Sequence, residues 1–211
     1  MSRRRLVAVL GLVVAGVACA VAIAAAIGVT SASLGISSKT LSAVQTCTLD
    51  AAEDAMTMQG NGNSNSDDPS LITIYHQSDG NNTQDGFIKF SFGACNFPAN
   101  SVVNSATLQL TVQATTSMQI GLYRVAASWS ASSITWNNAP SASSSPTATV
   151  TFNSSQKTLD VSTDVADYVD GDATNGGWKI APISGNNQTP ICGASYGNSS
   201  WRPVLTIKYV Y

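Results

Sequence analysis

Beyond residue 70, apolar and polar residues alternate over short segments, which predicts β-strands. Residues 106–112 alternate most cleanly and place Leu108, Leu110 and Val112 on one face. Turn-forming residues separate the segments, as at 79–82. Short strands at this spacing predict an all-β fold, an antiparallel β-sandwich of jelly-roll type. The other predicted strands cover residues 71–75, 87–92, 118–126, 147–152, 158–161, 178–182 and 205–211.

Helical periodicity is clearest at residues 160–169. It places Val165, Tyr168 and Val169 on one face, and Ser162 or Thr163 can cap the first turn. Residues 51–58 also allow a short helix, and the Gly-, Asn- and Ser-rich residues 59–70 predict a loop.

The N-terminal segment has a different pattern. Three arginines at residues 3–5 precede an almost entirely apolar run over residues 6–29. This order is typical of a secretory signal peptide, and the run is also long enough to remain as a membrane-anchor helix. We therefore expect residues 1–33 to be a signal peptide or anchor, residues 34–48 a Ser/Thr-rich linker, and residues 49–211 one domain. Either alternative predicts a secreted or extracellular domain that meets the membrane only through its N-terminal segment.

Charge narrows the range of partners. Removal of residues 1–33 would leave twelve acidic residues against seven of the ten basic ones. No basic face is then expected that could hold a phosphate backbone, so nucleic acid is not an expected partner.

Three cysteines follow the apolar run, Cys47, Cys95 and Cys192. In an oxidising compartment two of them are expected to pair. Cys47 with Cys95 and Cys95 with Cys192 are the competing pairings, and the sequence leaves both open.

Few residues suit catalysis. His76 is the one imidazole and Glu53 the one glutamate, and no Gly-x-Ser-x-Gly motif accompanies them. General acid–base chemistry needs titratable groups, so we expect no enzyme and leave a polysaccharide lyase or hydrolase as the least favoured hypothesis.

The aspartates at the end of the predicted helix allow two interpretations. Asp167, Asp170 and Asp172 can lie at the helix end and the turn after it, or can supply carboxylate oxygens to a structural Ca²⁺. Their spacing is not that of an EF-hand.

Aromatic residues supply the candidate ligand contacts, because sugar-binding proteins stack pyranose rings on exposed aromatic faces. Trp201 and Tyr196, in a Gly/Asn/Ser-rich segment before the last strand, are the best candidates, and Trp178 is a third. Core packing is the alternative for each tryptophan, most of all for Trp136, whose Trp-Asn-Asn-Ala-Pro motif has a structural character.

Several motifs occur together in a recognisable order. They are residues 104–110, Trp129-Ser130 with residues 134–140, residues 159–162, residues 175–180 and residues 202–209. This set resembles the DNRLRE domain family over roughly residues 50–209, although Phe90-Ser91-Phe92 stands where the family has Phe-Asp-Leu.

That family consists of secreted bacterial β-sandwich modules, some of which bind polysaccharides. The resemblance implies a non-catalytic surface module with a structural or adhesive role among cell-envelope components. A polysaccharide-binding module is the alternative.

Overall fold

The computed structural model describes residues 43–66, 70–77 and 82–211. The predicted signal or anchor over residues 1–33 lies outside the described residues, as does most of the predicted linker. Within the described ranges, no helix combines the length and apolar character needed to cross a membrane. The elements are β1 (Gln45–Asp50), β2 (Glu53–Met58), β3 (Leu71–Tyr75), β4 (Gln84–Lys89), β5 (Val102–Thr111), β6 (Gln119–Arg124), β7 (Ala148–Thr151), β8 (Gln156–Asp160), α1 (Ser162–Asp170), β9 (Trp178–Ser184), β10 (Gln188–Cys192) and β11 (Val204–Val210), with short 3-10 turns at Gln59–Asn61, Phe92–Cys95 and Ser199–Trp201.

The strands form two antiparallel sheets. The smaller has the order β1-β11-β5-β8, and the larger has the order β10-β3-β4-β9-β6-β7 with β2 also paired to β4. One hydrophobic cluster contains side chains of both sheets, including Leu108 and Ile207 from the first and Ile72 and Ile180 from the second. The sheets therefore pack face to face in a sandwich-like arrangement, which agrees with the predicted all-β class.

The apolar positions of the alternating pattern are the ones that the structure buries, as strand β5 shows. Leu108, Leu110 and Val112 are all buried, whereas Thr107 and Gln109 are only partly buried; Thr111, at the end of the strand, is buried as well. Successive side chains of a strand face opposite sides, so a period of two indicates a strand with one buried face.

Three strands were not predicted. Strand β1 begins at Gln45, so residues 45–48, the last of the predicted linker, belong to the smaller sheet. The helix allowed at residues 51–58 is wrong, since Glu53–Met58 forms strand β2 along β4. Strand β10 contains Pro190 and pairs with β3 at the end of the larger sheet, the edge position in which proline is tolerated.

The predicted helix is confirmed as α1, but the predicted cap is wrong, because the N-cap residue is Val161 and Ser162 and Thr163 lie inside the helix. Val165 and Tyr168 are buried, and Val169 packs against the core from a partly buried position. The Ser162 backbone N–H donates to the Asp160 carboxylate (2.9 Å), so the side chain before the helix satisfies one free donor of its first turn.

A disulfide joins Cys47 to Cys95, the first of the two pairings that the sequence left open. It ties β1 to the 3-10 turn after β4. Cys192 is buried with a free thiol.

A second hydrophobic cluster lies on the other face of the larger sheet. Trp129 and Ile134, from the long segment between β6 and β7, pack there against Ala55, Phe87 and Val125. The Trp129 indole N–H donates to the Gly176 carbonyl oxygen (2.7 Å). This cluster fixes residues 127–142 over the outer face of the sheet.

Candidate functional site

The outer face of the larger sheet brings together side chains from four strands. In the strand register Phe87 of β4 pairs with Lys179 of β9, which pairs in turn with Tyr123 of β6. On the other side of β4, Thr57 of β2 pairs with Asp85. Directly paired residues of neighbouring strands place their side chains on the same face, so these five form a patch across the sheet.

Tyr123 occupies this patch because its neighbour lacks a side chain. A Cβ on Gly121 would lie 2.6 Å from Cε2 of the Tyr123 ring. The ring therefore lies across Gly121, close to the backbone of β6. Glycine permits this close approach, which no other residue would allow without a shift.

Residues 127–142 form a wall beside the patch and carry Trp136 at its edge. The Trp-Asn-Asn motif holds this segment in place: the Asn137 backbone N–H donates to the Gly62 carbonyl oxygen (3.0 Å). Asn138 accepts from the Thr135 backbone N–H (2.6 Å) and donates to the Ser133 carbonyl oxygen (3.0 Å). The motif is structural, as expected, but its tryptophan is partly exposed and does not lie in the core.

Two adjoining cavities of about 220 and about 270 Å³ run along this wall and share Lys179 and Ala142. We call them together the Lys179 groove. Its lining residues are Thr57, Asp85, Phe87, Tyr123, Trp136, Ala139, Pro140, Ser141, Ala142, Ser143, Lys179 and Ala181.

An ion pair lies inside the groove. The Lys179 Nζ is 2.6 Å from the Asp85 Oδ2, and the side chains are 29% and 4% exposed respectively. Burial raises the pKa of the Asp85 carboxyl above its usual value, and the nearby Lys179 ammonium opposes that rise. The same ammonium lies 5.9 Å from the centroid of the Trp136 ring, within the range of a cation–π contact.

Thr57 adds a further polar atom. Its hydroxyl oxygen is buried and has no hydrogen-bond partner within the described part of the chain. Buried hydroxyls are normally hydrogen-bonded, so an unpartnered one in the lining of a cavity is a feature that a ligand or a water can satisfy.

The residues predicted to bind a ligand are divided between two environments. Tyr196 and Trp201 lie together with parallel rings, 5.8 Å between centroids and 1° between planes, and Trp201 is 36% exposed. Gln113 donates to the Tyr196 hydroxyl (3.2 Å), and the Arg202 Nε donates to the Tyr196 carbonyl oxygen (2.8 Å). These contacts hold the ring pair at the surface, and the ring pair shares no residue with the Lys179 groove.

Trp178 has a structural position, which corrects its prediction as a ligand contact. It is 1% exposed, packs edge-on against Phe90 and Tyr168, and donates its indole N–H to the Asp164 carboxylate (2.8 Å). Strand alternation directs Trp178 into the core and the next residue, Lys179, to the outer face.

The structure does not bring the aspartates predicted as calcium ligands together in a cluster. Asp167 pairs with Arg124, and α1 ends at Asp170 with Gly171 in the left-handed conformation (φ 77°). No group of three or more His, Cys, Asp or Glu residues that could hold a metal ion occurs in residues 43–66, 70–77 and 82–211. The other interpretation of this segment, a helix end followed by a turn, is confirmed.

Sequence reasoning missed four groove residues, Asp85, Tyr123, Trp136 and Lys179. Two local signals could have pointed to them. Lys179 directly follows a tryptophan in a strand, and a glycine lies two residues before Tyr123 on the same strand face.

The groove offers a combination of surfaces that suits a hydroxyl-rich ligand. Two partly exposed aromatic rings supply apolar faces, and a carboxylate, an ammonium and a hydroxyl supply acceptors and donors between them. Protein sites for small molecules and sugars commonly combine aromatic walls with a few convergent polar groups in this way.

Comparison with known proteins agrees with this chemistry. No curated protein matches the chain. The family model described as carbohydrate-binding module family 96 matches residues 45–209, which runs from the first residue of β1 nearly to the end of β11. This match covers most of the sequence, and the chain therefore belongs to carbohydrate-binding module family 96.

Proposed function

We propose that residues 45–209 bind a polysaccharide through the Lys179 groove. The observation that carries this site is the placement of Trp136 and Tyr123 around the Asp85–Lys179 ion pair. The family favours polysaccharide binding over the structural or adhesive role that was the leading expectation. Carbohydrate-binding modules are non-catalytic, which is consistent with the expectation that this domain binds its ligand without transforming it.

The aromatic and the charged side chains of the groove would contact different parts of a sugar. The C–H groups on one face of a pyranose can pack on the ring of Trp136 or Tyr123, which removes apolar surface from water. Sugar hydroxyls can donate to the Asp85 carboxylate and accept from the Lys179 ammonium. Hydrogen bonds to charged groups are about twice as strong as those between neutral ones, so this pair can orient the sugar.

The ring pair of Tyr196 and Trp201 is a second candidate platform for the same ligand class. Its support is the exposure of Trp201 and the parallel arrangement of the two rings. The groove has the stronger support because it adds a cavity and buried polar atoms to its aromatic rings.

A glycan array with the full chain tests both sites. We expect Trp136→Ala and Tyr123→Ala each to weaken binding at least about tenfold, the equivalent of about 1.4 kcal/mol. Trp201→Ala, a tryptophan outside the groove, is the matched control and is expected to bind normally. Loss of binding in Trp201→Ala alone would move the site to the ring pair, and a wild-type chain that retains no glycan would refute the proposed function.

We further propose that the domain acts outside the cell, secreted or anchored through residues 6–29. The support is the arginine-then-apolar order of the N-terminal segment. N-terminal sequencing of the exported protein would distinguish the two forms, and a chain found only in the cytoplasm would contradict both. The jelly-roll topology and the DNRLRE resemblance stay predictions about the same domain.

A further inference from the structure

The wall of residues 127–142 carries Trp136 at the edge of the groove but contains no helix or strand. Between β6 and β7 the chain has an isolated bridge, in which Val125 pairs with Ala142. Side chains of the second hydrophobic cluster attach the wall to the sheet. No regular ladder of backbone hydrogen bonds therefore holds the segment around Trp136. Its position depends on that packing and on individual polar contacts with neighbouring elements.

Asn65, in the loop between β2 and β3, makes the polar contact that precedes Trp136. Its side-chain amide nitrogen donates to the Ala131 carbonyl oxygen (2.7 Å) and to the Ile134 carbonyl oxygen (2.7 Å). One NH₂ group thus uses both of its hydrogens to join two carbonyls that lie three residues apart. An ionised aspartate has no donor and a serine has only one, so neither could replace this asparagine.

The same loop also contacts the residue that follows Trp136. The Asn137 backbone N–H donates to the Gly62 carbonyl oxygen (3.0 Å), and the Asn137 side-chain amide donates to the Asn63 Oδ1 (2.8 Å). A Cβ on Gly62 would lie 2.8 Å from the Asn137 Oδ1, so the asparagine side chain packs closely on this glycine. Residues 62–65 therefore hold the wall on both sides of Trp136.

We propose that Asn65 is a positioning residue for ligand binding, because its two hydrogen bonds fix the turn before Trp136 and so orient the indole ring. The inference rests on the proposed function, since it concerns the tryptophan of the Lys179 groove. Asn65 is not among the residues that line the groove, so it acts through the wall and not by contact with a sugar. A ring that is already held in place loses less conformational entropy when a ligand packs on it, which favours binding.

Hydrogen exchange of the full chain, followed by mass spectrometry, tests this role of Asn65 without a ligand. Asn65→Asp keeps the side-chain shape but removes both donors. We expect the backbone amides of residues 131–137 to exchange at least about tenfold faster in this variant, with exchange in β5 unchanged. Asn63→Asp is the matched control, because it makes the same chemical change two positions away but keeps the oxygen that accepts from Asn137. We expect its exchange to be no faster than in the wild type.

A glycan array that carries neutral and acidic polysaccharides tests the consequence for binding. We expect Asn65→Asp to weaken binding at least about fivefold, and Asn63→Asp, which adds the same charge to the same loop, to stay within about twofold of the wild type. In a Trp136→Ala background Asn65→Asp should cause no further loss, because a residue that acts through Trp136 has no separate effect once that ring is absent.

Four results would contradict the inference in distinguishable ways. Unchanged exchange of residues 131–137 in Asn65→Asp refutes the hold of Asn65 on the wall. Faster exchange with unchanged glycan binding refutes its role in binding, and a full further loss in the Trp136→Ala background shows that it acts by another route. A wild-type chain that retains no glycan refutes the proposed function and the role in binding, while the exchange measurement still decides whether Asn65 orders the wall. Asn65→Ala, which removes the donors without adding a charge, replaces Asn65→Asp if that variant does not fold.

Discussion

Removal of the Lys179 ammonium should destabilise the domain far more than removal of an ordinary surface lysine. Lys179→Gln keeps a hydrogen-bond donor on a somewhat shorter side chain but leaves the Asp85 carboxylate without its counter-charge. Because the Asp85 side chain is 4% exposed, water replaces the lost ammonium only in part. The variant therefore leaves an uncompensated charge in a poorly solvated position.

The size of the effect follows from the geometry. At 2.6 Å and an effective dielectric constant of about 20, the attraction between the two charges is about 6 kcal/mol. Part of this attraction offsets the desolvation of the pair, and removal of one partner from a buried pair costs about 3–5 kcal/mol. We expect a loss of about 3 kcal/mol at neutral pH, since the glutamine amide can still donate to Asp85.

The loss should depend on pH in a defined direction. Burial raises the pKa of Asp85, and Lys179 opposes that rise, so the pKa rises further in the variant. A carboxyl group with a raised folded-state pKa gives stability that is present below its unfolded value of 3.8 and is lost as the pH rises through the folded value. The cost of Lys179→Gln is therefore largest at neutral pH and shrinks under acid conditions, where Asp85 binds a proton.

Urea denaturation at neutral and acid pH measures this effect. Lys208→Gln is the matched control, because Lys208 is an exposed lysine on β11. Its free energy of unfolding should stay within about 0.5 kcal/mol of the wild-type value. Asp85→Asn should lower the free energy of unfolding less than Lys179→Gln does, because it removes the buried charge and leaves the more exposed one. An equal loss in Lys179→Gln and Lys208→Gln, or a loss that does not change with pH, would refute the reasoning.

Three other predictions follow from the contacts described above. Reduction of the Cys47–Cys95 bond, which closes a loop of 48 residues, should lower the free energy of unfolding by about 4 kcal/mol, measured by urea denaturation with and without a reductant; an unchanged midpoint would contradict this. Gly121→Ala should weaken glycan binding because its methyl group displaces the Tyr123 ring, with a stability loss of about 1–3 kcal/mol, and normal affinity in calorimetry would show that this ring is not part of the site. Trp178→Phe should lower stability by about 1–3 kcal/mol through loss of its indole donor to a buried carboxylate, yet leave glycan affinity unchanged; a folded variant with weakened binding would return this tryptophan to the list of ligand contacts.

Local pattern predicted the elements that have one strongly apolar face. Strand β5 is an example, since Leu108 and Leu110 alternate with polar residues and are fully buried. Helix α1 is another, because Val165 and Tyr168 recur at helical spacing and pack on the core. In such segments the apolar residues of the buried face recur at a regular spacing along the chain, so periodicity is sufficient to detect the element.

Strands without such a face were missed for a physical reason. In β1 only Leu49 is buried, and the strand is held at the edge of its sheet by backbone pairing with β11 and by the disulfide of Cys47. Backbone hydrogen bonds do not depend on side-chain pattern, so a polar edge strand has little signal in sequence. The choice between the two cysteine pairings likewise depends on which strands become neighbours.

The candidate ligand residues also divide into those that local sequence could identify and those that only the tertiary structure brings together. Tyr196 and Trp201 are five positions apart in one polar segment. Because aromatic residues in a polar segment are candidates for surface exposure, the sequence alone identified them as candidate ligand contacts. The Lys179 groove joins residues from β2, β4, β6, β9 and the loop that carries Trp136, which lie more than a hundred positions apart at the extremes. Only the tertiary structure decided that site, because strand register and the packing of residues 127–142, and not any local pattern, bring an ammonium, a buried carboxylate and two aromatic rings to one face of the sheet.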